Sequence, residues 1–158
     1  MTSPKIGIAN LSEIAVLSGK DFLQAIIDGR LPQPPISSAL TFRLVEVVDG
    51  FAAFEGDPGP HLLNPMGIVR GGWALTLIDS ATACAGQSLL PAGTGSTTIE
   101  TKVNFSRAIT LETGRVRAEG RVVSQGRQII SAQGQVLAKD GRVLAHGTST
   151  LMVLAARR

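Results

Sequence analysis

From Gly72 to Leu90 the chain shows no polar face. Trp73, Leu75, Leu77, Ile78, Ala81, Ala83, Ala85 and Leu89 fall all round a helical wheel, and Asp79 is the one charged residue among them. Gly71-Gly72 before this run and Pro91 after it are boundary signals, so the segment predicts one helix buried on nearly all sides. Elsewhere the period is two. Leu40, Phe42 and Leu44 alternate with Thr41, Arg43 and Val45, and Asp49-Gly50 predicts a hairpin into a strand over 51–55. Further strands are predicted over 96–105, 114–124, 127–138 and 142–154, divided at Thr113-Gly114, Gln125-Gly126 and Asp140-Gly141. Turns so short make antiparallel neighbours, hence a meander. Ser131, Gln133 and Gln135 alternate with Ile130, Ala132, Gly134 and Val136, which makes one sheet face apolar and the other wet. An apolar sheet face needs cover, and a helix apolar on all sides needs wrapping. The expected fold is α+β, an antiparallel sheet of about five or six strands curled around one central buried helix.

Residues 1–38 stand apart from this pattern. Ser12 is a candidate cap for a short helix, and Phe22, Leu23, Ile26 and Ile27 make an amphipathic segment over 21–28 that Gly29 ends. Pro32, Pro34 and Pro35 then enforce an extended stretch. The expected organisation is an N-terminal helical appendage with a Pro-rich linker over 1–38, followed by a single domain over 39–158.

Composition removes several classes of function. The apolar run is long enough for a membrane span, but Asp79 sits near its middle and Thr76, Ser80, Thr82, Gln87 and Ser88 dilute it, so a membrane partner is not expected. A single cysteine excludes an internal disulfide, no Cys/His cluster has metal spacing, and the first ten residues lack the apolar run of a secretory signal. A cytoplasmic protein without a metal is expected. Residues 1–95 carry 5 Lys/Arg against 8 Asp/Glu, whereas residues 96–158 carry 10 against 4. A basic half suits an anionic partner. Nucleic acid is disfavoured, because the charges are scattered through strands and aromatic residues make up only 4% of the chain. A small phosphorylated ligand fits as well, and a solvated strand face is the plain reading of each cation singly.

Asp79 is the most informative residue, since a carboxylate in an apolar helix is costly unless it is paired or used. Its plain reading is a packing role, with hydrogen bonds to neighbouring backbone or hydroxyl groups. Cys84 has no basic neighbour and reads as a small filler.

Three separated segments carry a resemblance. They are Asn64-Pro-x-Gly-x-Val-x-Gly-Gly, a helix with Leu75 and Asp79 spaced as Leu-x-x-x-Asp-x-Ala, and Thr97-Thr-x-Glu-x-Lys-Val-Asn-Phe105. In this order and spacing, over roughly residues 40–154, they resemble the hotdog-fold acyl-CoA thioesterases of the phenylacetic-acid-degradation type, and the ending from Asp140 resembles that family's last hairpin. The resemblance implies hydrolysis of the thioester of a small or medium acyl-CoA, aromatic ones included, to free acid and coenzyme A, with no cofactor beyond the coenzyme A of the substrate, by homodimers that pair into tetramers. By position it implies that Asp79 is general base or nucleophile, that the Gly71 N–H polarises the thioester carbonyl, that Asn64 positions water or substrate, and that Thr98 is a hydroxyl beside the carboxylate. Where the family usually has His before the paired glycines, this chain has Arg70.

Physical chemistry adds to these assignments. Gly71 opens the helix, where free N–H groups and the positive dipole end suit an oxyanion, and Gly72 keeps the backbone open to a ligand. At 1.5 Å per residue, Asp79 lies about 12 Å further along the axis than Gly71, so one thioester cannot touch both in one chain. The carboxylate serving Gly71 is therefore expected from a second subunit, through antiparallel pairing of two central helices. Trp73 reads as core or as a wall of the acyl pocket. Lys102, Arg107, Arg115 and Arg127 are candidates for the phosphates of the pantetheine-nucleotide arm, and Arg70 is a candidate substrate-binding residue. Asn64, Thr98, His61 and His146 also have plain readings as turn, strand and surface residues. The rival functions are a non-catalytic acyl-CoA-binding or regulatory module, which the departure at Arg70 keeps open, and a hotdog hydratase or dehydratase, which would need a His beside the carboxylate.

Overall fold

The computed structural model describes residues 5–154; residues 1–4 and 155–158, at the ends of the expected appendage and domain, lie outside them. Three short helices come first, α1 (Leu11–Ile14), α2 (Gly19–Ile27) and α3 (Pro35–Ala39). Strands β1 (Phe42–Val48) and β2 (Phe51–Gly56) precede α4 (Gly71–Gln87), and β3 (Gly95–Phe105), β4 (Val116–Gln125), β5 (Ile129–Leu137) and β6 (Val143–Leu154) follow it. All six strands form one sheet in the order β1-β2-β4-β5-β6-β3, and every pairing is antiparallel. The α+β fold expected from the pattern is the fold observed.

The sheet curls around α4. Leu77, Ile78, Ala81 and Ala85 are fully buried against it, and each large aliphatic side chain so removed from water stabilises the fold by about 1.5–3 kcal/mol. Close approach requires a missing side chain at Gly120, where a Cβ would lie 2.3 Å from the backbone of Ala81. No helix is long and apolar enough to cross a membrane among the described residues.

Four expectations change. The burial of α4 is not all round: Gly72 and Leu75 are exposed, and Thr76, Asp79, Ser80, Ala83 and Gln87 are half-buried, so one stripe of the helix lies open in the single chain. The meander holds for β4, β5 and β6 but not for β3, which crosses to pair with β6. The cause is the connection after Phe105, a ten-residue excursion through a 3-10 turn at Leu111–Thr113 instead of a tight reversal at Thr113-Gly114. In the appendage, Asn10 caps α1 by accepting from the Ser12 N–H, so Ser12 is capped and does not cap; Ser18 caps α2 at Asp21 N. Finally, the proline stretch does not stay extended: Pro35 begins α3, a position where its missing N–H costs nothing. Leu23 of α2 belongs to the main core, whereas Ala25, Ile26 and Leu31 form a small cluster of their own.

Candidate active site

The loop before α4 is shaped by Asn64. Its side-chain oxygen accepts from the N–H of Met66 at 2.9 Å and of Ile68 at 3.1 Å, and its own N–H donates to the Ile68 carbonyl at 2.8 Å. A short polar side chain that ties its own turn is the ordinary reason for Asn before Pro, and here it delivers Arg70 as the N-terminal cap position of α4. No side chain caps that helix end, and its first turn holds no acidic residue. The first N–H groups of a helix have no intrahelical partner and carry the positive end of its dipole, so this end suits a partial negative charge.

That helix end opens on a cavity of about 410 Å³. Asn64, Arg70, Gly71, Phe105 and Arg107 line it, and no Asp or Glu does. Gly71 admits no larger residue without movement, because a Cβ there would lie 2.9 Å from the Phe105 ring. Of the expected site residues, Asn64, Arg70, Gly71 and Arg107 are thus brought together, with Gly72 exposed beside them.

Asp79 lies elsewhere, on the open stripe of α4. Its Oδ1 accepts from the Thr101 hydroxyl at 3.0 Å, and Thr101 lies 3.0 Å from the hydroxyl of Ser149. Ser149, 2% exposed, lies in turn 2.7 Å from the hydroxyl of Thr82, which reaches the Ile78 carbonyl at 2.8 Å. A hydroxyl has one proton, so with Thr101 donating to the carboxylate and Thr82 to the Ile78 carbonyl, the Ser149 proton serves only one of its two neighbours at a time. The row of hydroxyls anchors one carboxylate oxygen to the core and leaves the second without a hydrogen-bond donor among the described residues.

The expected hydroxyl at Thr98 is not the one that meets Asp79 within the chain; Thr101 is. Both lie on the helix-facing side of β3, Thr98 opposite Leu151 and Thr101 opposite Ser149, because a bulge between Thr98 and Glu100 inserts one residue and resets the alternation. Counting back by two from Phe105 and Val103 reaches Thr101, so the period alone carried this signal. Thr82, Ser149 and Phe105 are further residues of the site that sequence reasoning missed; Thr82 lies on α4 itself, and only the tertiary fold brings Ser149 of β6 and Phe105 of β3 to that helix.

Trp73 is core. It is 3% exposed, its indole N–H donates to the Leu40 carbonyl at 2.7 Å, and the cavity at Gly71 is lined by other residues. Arg115 is bound to Asp57 through two nitrogens at 2.8 and 3.0 Å and to Glu55 at 3.3 Å, which leaves no free fork for a phosphate. Lys102 lines a groove of about 360 Å³ on the outer sheet face with Asn104, Arg121 and His146, and Arg127 sits in the exposed β4–β5 turn. His61 is exposed in the 3-10 turn Pro60–Leu62. Neither histidine is a hydrogen-bond partner of Asp79 among the described residues. Those residues also contain no cluster of His, Cys, Asp and Glu fit to hold a metal ion.

Burial, and secondarily the charge of Asp79, push the Cys84 thiol up to about 12. Reaction needs the thiolate, so Cys84 at pH 8 should react with a disulfide reagent about a thousand-fold more slowly than a free thiol of ordinary acidity. The check is colorimetric thiol titration before and after unfolding. Rapid reaction in the folded protein would show that the half-buried Cys84 is open to solvent and its thiol not raised.

Residues 66–145, just over half of the chain, match the model of the thioesterase superfamily. The chain belongs to that superfamily. A thioesterase family protein from Silicibacter pomeroyi is 30% identical, with a TM-score of 0.71 over 77% of this chain and 90% of that one. A phenylacetic acid degradation-related protein from Ralstonia eutropha JMP134 is 25% identical, with a TM-score of 0.74 over 83% of this chain and 98% of that one. A Streptococcus mutans protein solved with acetyl-CoA bound shares the fold at 24% identity and a TM-score of 0.66, over 74% of this chain and 91% of that one. No curated protein matches the sequence. At the level of the family, the thioesterase-superfamily fold places the chain with thioester hydrolases, and its hotdog architecture is that of these relatives.

Proposed function

We propose that the protein is an acyl-CoA thioesterase whose sites form between two copies of the chain. The observation that carries this reading is the division of the site: an uncapped, acid-free helix end at a cavity with Arg70 and Arg107, and a carboxylate with one unengaged oxygen about two turns further along the same helix. Two α4 helices lying antiparallel along their open stripes bring Asp79 of the partner subunit to Gly71, and the reverse. The β3 edge supports such a pairing. It is an 11-residue strand at the end of the sheet, with Ile99 54% and Phe105 56% exposed, and long apolar edges are normally covered.

In this site the thioester carbonyl accepts from the Gly71 N–H. Asp79 takes a proton from water as the oxygen bonds to the carbonyl carbon, and the negative charge gathers on the oxygen held by Gly71. Collapse restores the carbonyl and breaks the C–S bond. The coenzyme A thiolate leaves and the acid remains. Direct attack by Asp79, with hydrolysis of the resulting anhydride by water, uses the same placement. Thr101 holds one carboxylate oxygen and so aims the other. Arg70 and Arg107 suit the phosphates of the substrate, and Arg70 stands where a His would offer a second proton acceptor. Reaction therefore rests on Asp79 alone. Pairing of dimers into tetramers is proposed on the same resemblance.

Incubating the purified protein with a panel of acyl-CoAs should release free thiol, read with a chromogenic thiol reagent. Tight binding of acyl-CoA with no release from any member of the panel would replace this reading with that of a binding module.

A further inference from the structure

At the C-terminal end of α4, opposite the Gly71 cavity, lies a second cleft of about 510 Å³, within the size range of small-molecule sites. Leu11, Ile14, Leu17 and Phe22 of the appendage form one wall, and Gln87 and Gly95 stand on the other. No charged residue lines it. The appendage is fastened there by contacts that leave little freedom. The Gly19 N–H donates to the Leu90 carbonyl at 2.9 Å, and α2 comes so near that a Cβ on Gly19 would lie 1.7 Å from the Gln87 carbonyl oxygen. Lys20 meets Asp49 at 2.7 Å. Apolar side chains are thus held against a cleft without filling it: Leu11 is 76% exposed.

This cleft continues the open stripe of α4. From Asp79 the stripe runs through Ala83, whose side chain is a single methyl, to Gln87 in the cleft, a distance of about 12 Å along the axis. Gln87 is held in place there, because its amide donates one hydrogen to the Thr94 carbonyl at 3.0 Å and its oxygen accepts from the Ser96 hydroxyl at 3.3 Å. A neutral hydrocarbon can follow this path without stranding a polar group, and a charged one cannot.

Resting on the thioesterase reading, we propose that this cleft takes the distal end of the acyl chain, whose thioester lies at Asp79, and that the appendage makes the enzyme selective for linear acyl groups of about ten carbons or more. At about 1.5 Å per C–C bond, a zigzag chain needs on the order of ten carbons to span the ~12 Å and enter. Residues 11–22 lie outside the segment 66–145 that matches the superfamily model.

The test compares acetyl-, butyryl-, octanoyl- and dodecanoyl-CoA by thiol release with the full-length protein. In the parent, kcat/KM should rise with chain length by about four-fold for each methylene that enters the cleft. Gly95→Trp grows a ring into space where an added Cβ meets nothing within 4 Å, and should lower the ratio of kcat/KM for dodecanoyl- over butyryl-CoA by about ten-fold or more. Ile14→Glu, on the opposite wall, should lower the same ratio and decides the matter if the first variant does not fold. A parent that prefers acetyl- or butyryl-CoA, or folded variants that keep the parental ratio, would overturn the acyl cleft while leaving the thioesterase reading intact. Hydrolysis of none of the four would overturn that reading and the cleft together.

Discussion

Asp79→Asn should lower kcat by about two to four orders of magnitude, the range expected when a positioned general base is lost. The substitution keeps shape, volume and an oxygen able to accept from Thr101, so the row of hydroxyls to Ser149 and Thr82 survives and the melting temperature should change little. Affinity for a non-hydrolysable acyl-CoA thioether should also be retained, because the contacts assigned to the phosphates and carbonyl lie at Arg70, Arg107 and Gly71. Turnover falls because a neutral amide can neither take a proton from water nor attack a carbonyl. Parental turnover in this variant would refute the carboxylate mechanism, and a collapse in melting temperature would assign Asp79 a packing role.

Activity should reappear when two dead chains are combined. A chain with Asp79→Ala lacks the carboxylate. A chain with Asn64→Ala and Gly71→Pro lacks the ties from Asn64 to Met66 and Ile68 and the N–H that holds the oxyanion. Proline is compatible with a first helical position, and the ring it would crowd is that of Phe105, an exposed side chain that can turn aside. Each homodimer should be inactive. In the heterodimer one site inherits both defects and the other neither, so about half the parental activity per dimer is expected of two equivalent, independent sites. Co-expression with two affinity tags isolates the mixed species for assay. A folded heterodimer with no activity would mean that Gly71 and Asp79 do not serve a common site across two chains.

Local pattern was enough for much of this molecule. The run from Gly72 to Leu90 could be read as the central helix, and the alternation around Asp49-Gly50, Gln125-Gly126 and Asp140-Gly141 as strands and hairpins, because helix and strand periods and turn chemistry are properties of adjacent residues. Asp79 stood out for the same reason, as a lone charge in an apolar segment. Non-local choices were not legible. β3 leaves the meander because a ten-residue connection, unlike a tight turn, does not force it beside β4, and in the folded chain it pairs with β6. The bulge between Thr98 and Glu100 turns both Thr98 and Thr101 toward α4, and which of the two meets Asp79 depends on where along β3 the fold sets the helix, which alternation along the strand does not encode. Trp73 was ambiguous between core and pocket until the sheet's curl carried Leu40 over its indole N–H. The open stripe of α4 was hidden entirely. A sequence shows how apolar a helix is, whereas the number of sides that one sheet can cover depends on how far that sheet curls.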